Sequence, residues 1–209
     1  MPTDTLWVSV QGSDGSVLIS SDPAPVVRAA DFGTFIITYP VAFNLTNCGL
    51  IATINNGPGM VAASHGGANQ VTVKTFLTDG STENLDFTLC VLCPPSTPRV
   101  VAFVSVNQDG SVRRSSDPAI SVTRLDVGFY SVDFATIAEI GSCVFVATLS
   151  RDSVQNIGLP VAGEISISSA PTGDAQAVGM FVFTFNSSGP LGFAPPQSDR
   201  GFDLIAVRT

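Results

Sequence analysis

DGSVLISSDPA at residues 14–24 returns as DGSVRRSSDPA at residues 109–119. The match extends outward: residues 13–53 align without a gap on residues 108–148 at a constant offset of 95, with 15 of 41 positions identical. Gly33 meets Gly128, and Cys48-x-x-x-Ala52-Thr53 meets Cys143-x-x-x-Ala147-Thr148. Between the identities the exchanges keep their chemistry: Phe35 for Tyr130, Ile37 for Val132, Tyr39 for Phe134. The chain is a duplicated module, and an account of its function has to explain two copies.

The repeated text has the period of a β-strand. Phe35, Ile37 and Tyr39 alternate with Thr34, Ile36 and Thr38, and Tyr130, Val132 and Phe134 alternate with Phe129, Ser131 and Asp133. Side chains on a strand alternate between faces, so each copy predicts one apolar, inward row. Asp14-Gly15 supplies the positive φ of a tight hairpin, and Pro23 ends the following strand by removing a ladder donor. Such punctuation arrives every 8–12 residues, the rhythm of a sandwich or barrel. It predicts strands near 6–11, 16–20, 25–30, 34–40, 49–55, 59–64, 69–77 and 85–92, then 99–107, 112–115, 120–125, 129–135, 143–149, 161–169, 176–186 and 200–208. Apolar residues at helical spacing do not persist anywhere.

The later strands rhyme too: Val71–Phe76 with Met180–Phe185, and Phe87–Val91 with Phe202–Ala206. The offset has grown to 109 and then 115, so the second copy carries insertions, the larger being the Gly/Pro-rich loop 186–200. The expected fold is all-β: two tandem antiparallel β-sandwich or jelly-roll-like domains, at 1–93 and 99–209, joined by the stiff Pro-rich linker 94–98.

Composition narrows the function. Charged residues make up only 12% of the chain while 44% are hydrophobic, and low-charge surface is what buried interfaces use. Seventeen acidic residues face nine basic ones, of which Lys74 is the single lysine, for a net charge of −8. Phosphate-backbone binding needs Lys and Arg to displace counterions, so nucleic acid is not an expected partner. No apolar run reaches the roughly 18 residues of a membrane helix, and the opening MPTDTLWVSVQGSDG lacks the basic and apolar regions of a secretory signal.

The chemistry-bearing residues are sparse. His65, in Ser64-His65-Gly66-Gly67, reads as an exposed turn residue without a counterpart in the second copy, so it is not expected to be catalytic. Asp14 with Asp22, and Asp109 with Asp117, read as hairpin and Asx-type caps, because the alternating acids and distal Glu of a calcium loop are missing. No cofactor or metal ligand set is expected. Cys90-x-x-Cys93 lies on a strand, not at the helix N-terminus that activates a redox thiol. Two readings of the cysteines stay open: a Cys48–Cys93 disulfide with Cys90 and Cys143 as buried thiols, or four reduced thiols. For a sugar ligand, the polar side of a site would come from Asn55, Asn56, Asn69, Gln70 and Asn186 in the inter-strand loops.

The run Val122-Thr123-Arg124-Leu125-Asp126-Val127-Gly128-Phe129-Tyr130-Ser131-Val132-Asp133-Phe134, followed by Cys143-Val144-Phe145-Val146-Ala147-Thr148, resembles a diffuse group of uncharacterised bacterial and phage-associated β-rich modules. Their shared text is V-x-R-x-G-x-G-x-Y-x-V-x-F, then C-x-Y-x-A-T, then F-x-L-x-V-x-C. The first copy keeps the last element as Phe87-x-Leu89-x-Val91-x-Cys93 but has Phe35 in the tyrosine slot. The second has Phe145 in the aromatic slot of the middle element and lacks the final cysteine. Gly128-Phe129-Tyr130 is also similar, over about ten residues, to the G-x-Y strand of C1q-like jelly rolls. The group resemblance implies a secreted or surface β module and carries no activity with it.

Together these readings predict a non-catalytic structural or assembly module on the exterior of a particle or cell, forming a homo-oligomer or larger protein assembly. A carbohydrate-binding module using the inter-strand loops is the alternative.

Overall fold

The computed structural model describes residues 5–21, 23–93, 100–134, 143–150, 163–169, 179–186 and 197–208. Its regular structure is sixteen strands in four antiparallel sheets, with no helix among the described residues. In the first half, β1 (Thr5–Val10), β2 (Val17–Ser20), β5 (Gly49–Ile54) and β8 (Phe87–Leu92) form a sheet in the order β2-β1-β8-β5. Its companion, β3-β4-β7-β6, is made of β3 (Val26–Asp31), β4 (Thr34–Thr38), β6 (Met60–Gly67) and β7 (Gln70–Phe76).

The second half repeats both orders. The sheet β10-β9-β16-β13 comprises β9 (Val100–Val106), β10 (Val112–Ser115), β13 (Cys143–Leu149) and β16 (Phe202–Arg208). The sheet β11-β12-β15-β14 comprises β11 (Ser121–Asp126), β12 (Phe129–Asp133), β14 (Gly163–Ser169) and β15 (Gly179–Asn186). All sixteen expected strands are present, and each half is a β-sandwich. The expected linker, 94–98, lies outside the described residues.

Period two accounts for the core. Leu6, Val8 and Val10 of β1, Phe35 and Ile37 of β4, Val71 and Val73 of β7, and Phe87, Leu89 and Val91 of β8 are buried together between the two sheets. In the second half Val104 and Val106, Tyr130 and Val132, Val182, Phe202 and Leu204 fill the equivalent space. Phe35 packs on Phe87 at 5.1 Å between ring centroids, and their counterparts Tyr130 and Phe202 pack at 5.2 Å. The β3–β4 and β11–β12 hairpins turn at Gly33 (φ 65°) and Gly128 (φ 63°), a backbone conformation that costs glycine little.

His65 departs from its sequence reading. The β6 ladder does not stop before Gly66-Gly67 but continues through a bulge between His65 and Gly67, so His65 pairs with the inward-facing Val71. It is buried, not exposed in a turn. The glycine pair that reads as a loop signal here ends a strand three residues later than expected.

No strand ladder joins the halves among the described residues; they meet through side chains. The open edge of β5 rests on the outer face of the β10-β9-β16-β13 sheet. Ile51 and Leu92 pack against Phe103, Ile205 and Val207, and Ala62 and Phe76 pack against Leu149. The Ala52 N–H, on the side of β5 away from β8, donates to Thr148 Oγ1 at 3.2 Å. Gly49 permits this approach, since a Cβ there would lie 2.5 Å from Ile205 Cδ1.

Candidate functional site

Cys48 and Cys93 are joined by a disulfide with a Cα–Cα distance of 4.2 Å. The cause is register. Gly49 opposes Leu92 across the β5–β8 ladder, so the residues just beyond both strand ends face each other. In the second half the same register sets Cys143 opposite Arg208, so Cys143, like Cys90, is outside any disulfide. Burial raises the pKa of both thiols.

The amide residues named as candidate ligand contacts do not converge. Asn55 donates from Nδ2 to Thr88 Oγ1 (2.9 Å) and Ser9 Oγ (3.3 Å), tying three strands on the outer face of its sheet. Asn56, in the left-handed region at φ 56°, donates to Asp86 Oδ2 at 3.1 Å. Asn69 donates to the Tyr39 carbonyl at 2.6 Å, and Gln70 opens β7 opposite Thr38. The 68–70 turn is held to Leu45, ahead of β5, whereas Asn55 and Asn56 follow its far end. A six-residue strand spans about 20 Å, which separates the two pairs. Asn186 is not in a loop but is the last residue of β15, where its Oδ1 accepts from Arg200 at 3.2 Å. The rest of the expected loop, 187–196, lies outside the described residues.

A polar corner of the second half forms a cleft of about 480 Å³ lined by Gln108, Asp109, Arg124, Gln197, Ser198 and Asp199. It is a modified copy of a structural corner. In the first half, Asn84 Oδ1 accepts the Gly33 N–H at 2.6 Å, and Thr75 Oγ1 donates to the Glu83 carbonyl. In the second, Asp199 Oδ1 accepts the Gly128 N–H at 2.8 Å, and Thr184 Oγ1 donates to the Ser198 carbonyl. The replacement of Asn84 by Asp199 comes with Arg124 for Ala29 and Tyr130 for Phe35. Arg124 grips both Asp199 oxygens at 2.8 and 2.7 Å. The Tyr130 hydroxyl lies 2.8 Å from the Gln108 carbonyl oxygen and 3.1 Å from Asp199 Oδ1.

Hydrogen bonds from Arg124 hold the Asp199 carboxyl below its usual range, while burial and then the Asp199 charge raise the Tyr130 phenol. The acid stays ionised and the phenol protonated around neutral pH. The cleft therefore offers hydrogen-bonding groups around an ionised carboxylate. No cluster of three metal-ligating side chains occurs among the described residues.

The outer face of the β12–β15 pair adds a second feature. Phe129 stacks on Phe183 at 4.8 Å and 6°, and meets Phe181 edge-on at 5.1 Å. Ser131, Ser166 and Ser168 sit across the ladders from this cluster. The first-half positions carry Thr34, Thr72 and Lys74 instead. The alternation of Met180–Phe185 already places Phe181 and Phe183 on one face. What sequence cannot say is that this face points away from the core.

A third polar cluster lies where the halves meet. Asp203 and Ser105 are buried, and Arg113 donates to Ser105 Oγ and to Ser150 Oγ (2.8 Å) while its guanidinium sits 3.5 Å from Asp203. Burial raises the Asp203 carboxyl, opposed by Arg113, the Ser105 hydroxyl, Arg114 and the Leu50 amide. Burial, with Arg114 and Arg113, lowers the pKa of His65 to about 3, against the backbone of Leu45 and Cys48, which raises it. The cluster lies against the open edge of β5, at the Leu50 backbone. The Asn55–Ser9–Thr88 set is its neutral counterpart in the first half. Against known proteins, no family model matches the chain, and neither a curated protein nor a solved structure matches it.

Proposed function

We propose that this chain is a non-catalytic structural module that works by protein–protein contact with sister chains, within a larger assembly on the exterior of a particle or cell. The observation that carries the reading is apolar exposure on ordered strands. Leu18 and Ile19 of β2 are 54% and 60% exposed, and Val26 of the neighbouring edge strand β3 is 70% exposed. Isolated exposed leucines are ordinary, but a cluster on two adjacent sheet edges is the signature of a contact surface. The comparison between halves sharpens it: Arg113 and Arg114 stand at the positions of Leu18 and Ile19, and Arg113 is engaged beneath the first half. The low charge of the chain and its resemblance to phage-associated β modules point the same way.

A second reading, glycan binding, is favoured by the Phe129–Phe181–Phe183 cluster with its flanking serines, and by the amide- and carboxylate-lined cleft. The two readings part in a melting experiment. Assembly predicts a melting temperature that rises with protein concentration and ignores added mono- and oligosaccharides. A melting temperature independent of protein concentration but raised by a saccharide would overturn the assembly reading in favour of the glycan one.

A further inference from the structure

The contact between the halves has two sides, and each side exists twice in the chain. One side is the open edge of β5; its counterpart is β13, which is likewise an edge strand. The offset of 95 sets Val144, Phe145 and Ala147 at the places of Gly49, Leu50 and Ala52. The other side is the outer face of the β10-β9-β16-β13 sheet; its counterpart is the outer face of β2-β1-β8-β5. Trp7 N–H donates to Ser21 Oγ as Phe103 N–H donates to Ser116 Oγ, both at 3.0 Å, which equates Trp7 with Phe103. Register then equates Thr88 with Asp203, Cys90 with Ile205 and Thr53 with Thr148.

The unused sides fit one another. Thr148 Oγ1 accepts the Ala52 N–H within the chain, and the unused pair is again alanine and threonine, Ala147 and Thr53. Thr53 is exposed, and Ala147 lies on the edge strand β13 just ahead of Thr148 and Leu149, which the first half covers. In the internal contact the bulk is on the face, Ile205, and the edge supplies Gly49. In the unused one the bulk is on the edge, Val144, and the face supplies the smaller Cys90. Such a redistribution keeps packing volume while changing its owner. The charges vanish as well: Asp203, Arg113 and Arg114 become Thr88, Leu18 and Ile19. A docked edge would bury an uncharged face, with no ion to desolvate. Leu92 is already covered by the chain's own second half, which confines the docking area to Trp7, Thr53, Thr88, Cys90 and the β2 side chains.

We infer that a second copy of this chain docks head to tail, seating its β13 edge on the outer β2-β1-β8-β5 face of the first. This rests on the assembly reading and names its partner and surface. Edge and face are different surfaces, so the contact is heterologous and propagates into a ring or a filament. Val144, 51% exposed, is buried against Cys90 of the next chain.

A thiol pair tests the contact in the full-length chain. In a Cys143→Ser background, Val144→Cys places a thiol opposite the native Cys90 of the neighbouring copy. Mild oxidation with diamide is expected to give a ladder of covalent multimers on a non-reducing gel, abolished by adding Cys90→Ser. Mixing the Cys143→Ser, Val144→Cys, Cys90→Ser chain with a Cys143→Ser chain is expected to stop at covalent dimers. A wild-type chain that self-associates by light scattering, with no ladder from the thiol pair, overturns this contact while leaving the assembly reading standing. A chain that stays monomeric overturns both. Trp7, the single tryptophan, gives an independent readout without mutation: its emission is expected to shift to the blue as protein concentration rises, and an unchanged spectrum across the association range also overturns the contact.

Discussion

Gly49 and Ile205 set the distance at which the two halves lie, because any β-carbon at position 49 would overlap the isoleucine terminus. Gly49→Val is expected to destabilise the chain by about 1–3 kcal/mol, the usual range for overpacking. Combining it with Ile205→Ala is expected to recover part of that loss in a denaturant-melt cycle; strict additivity would show that the two side chains do not meet. His65 supplies the second residue-scale prediction. Its folded pKa, about 3, is below the ordinary value of 6.5, so its contribution to stability is complete above pH 6.5 and is lost as pH falls toward 3. Over that window the slope approaches about 1.4 kcal/mol per pH unit. Asp203, whose folded pKa is raised, acts in the opposite sense, adding stability as it protonates. His65→Gln, compared with wild type in urea melts between pH 7 and 4, is expected to flatten the decline; an unchanged slope would contradict the burial of His65. Nothing in Ser64-His65-Gly66-Gly67 foretold this burial. Two glycines read as a turn unless the ladder that runs through them is known.

At the scale of elements the sequence was most legible. Alternation in residues 34–39 and 129–134, read in duplicate, predicted which side chains face inward, because burial of one sheet face imposes period two on both copies. Pairing partners were less legible. That β8 lies between β1 and β5 depends on contacts some 40 to 80 residues apart in sequence, which no local pattern encodes. The Cys48–Cys93 link follows from that order, since it extends the β5–β8 ladder by one pair. It closes a loop with a sequence separation of 45, for which chain-entropy reasoning gives about 4 kcal/mol. Cys93→Ser is expected to lower unfolding stability by an amount of that order, measured beside the reduced wild type. Equal stability of the oxidised wild type and the variant would argue that no bridge forms.

For the whole molecule, the two sandwiches differ where they would otherwise be interchangeable. The polar centre of the contact face is Asp203 with Arg113 in one half and Thr88 with Asn55 in the other. This difference was invisible in sequence. An outward-facing serine, aspartate or arginine reads as solvent-exposed surface, and only the structure reveals that Ser105 and Asp203 lie beneath the first half. The same blindness hid the polar corner at Asp199, because Arg124, Tyr130 and Asp199 come from strands and turns about 70 residues apart. That corner has its own prediction: Asp199→Asn keeps the acceptor for the Gly128 N–H but weakens the Arg124 grip. The expected loss is small, as for an exposed ion pair, read by thermal melting.

The central claim, that this chain acts through contact with copies of itself, is tested most directly by its molar mass in solution, measured by light scattering on a size-exclusion column over a wide range of loading concentrations. The chain mass is 21.6 kDa. The account predicts masses that climb to multiples of that value as concentration rises, and that fall back for Val144→Asp. A constant 21.6 kDa at every concentration would contradict it.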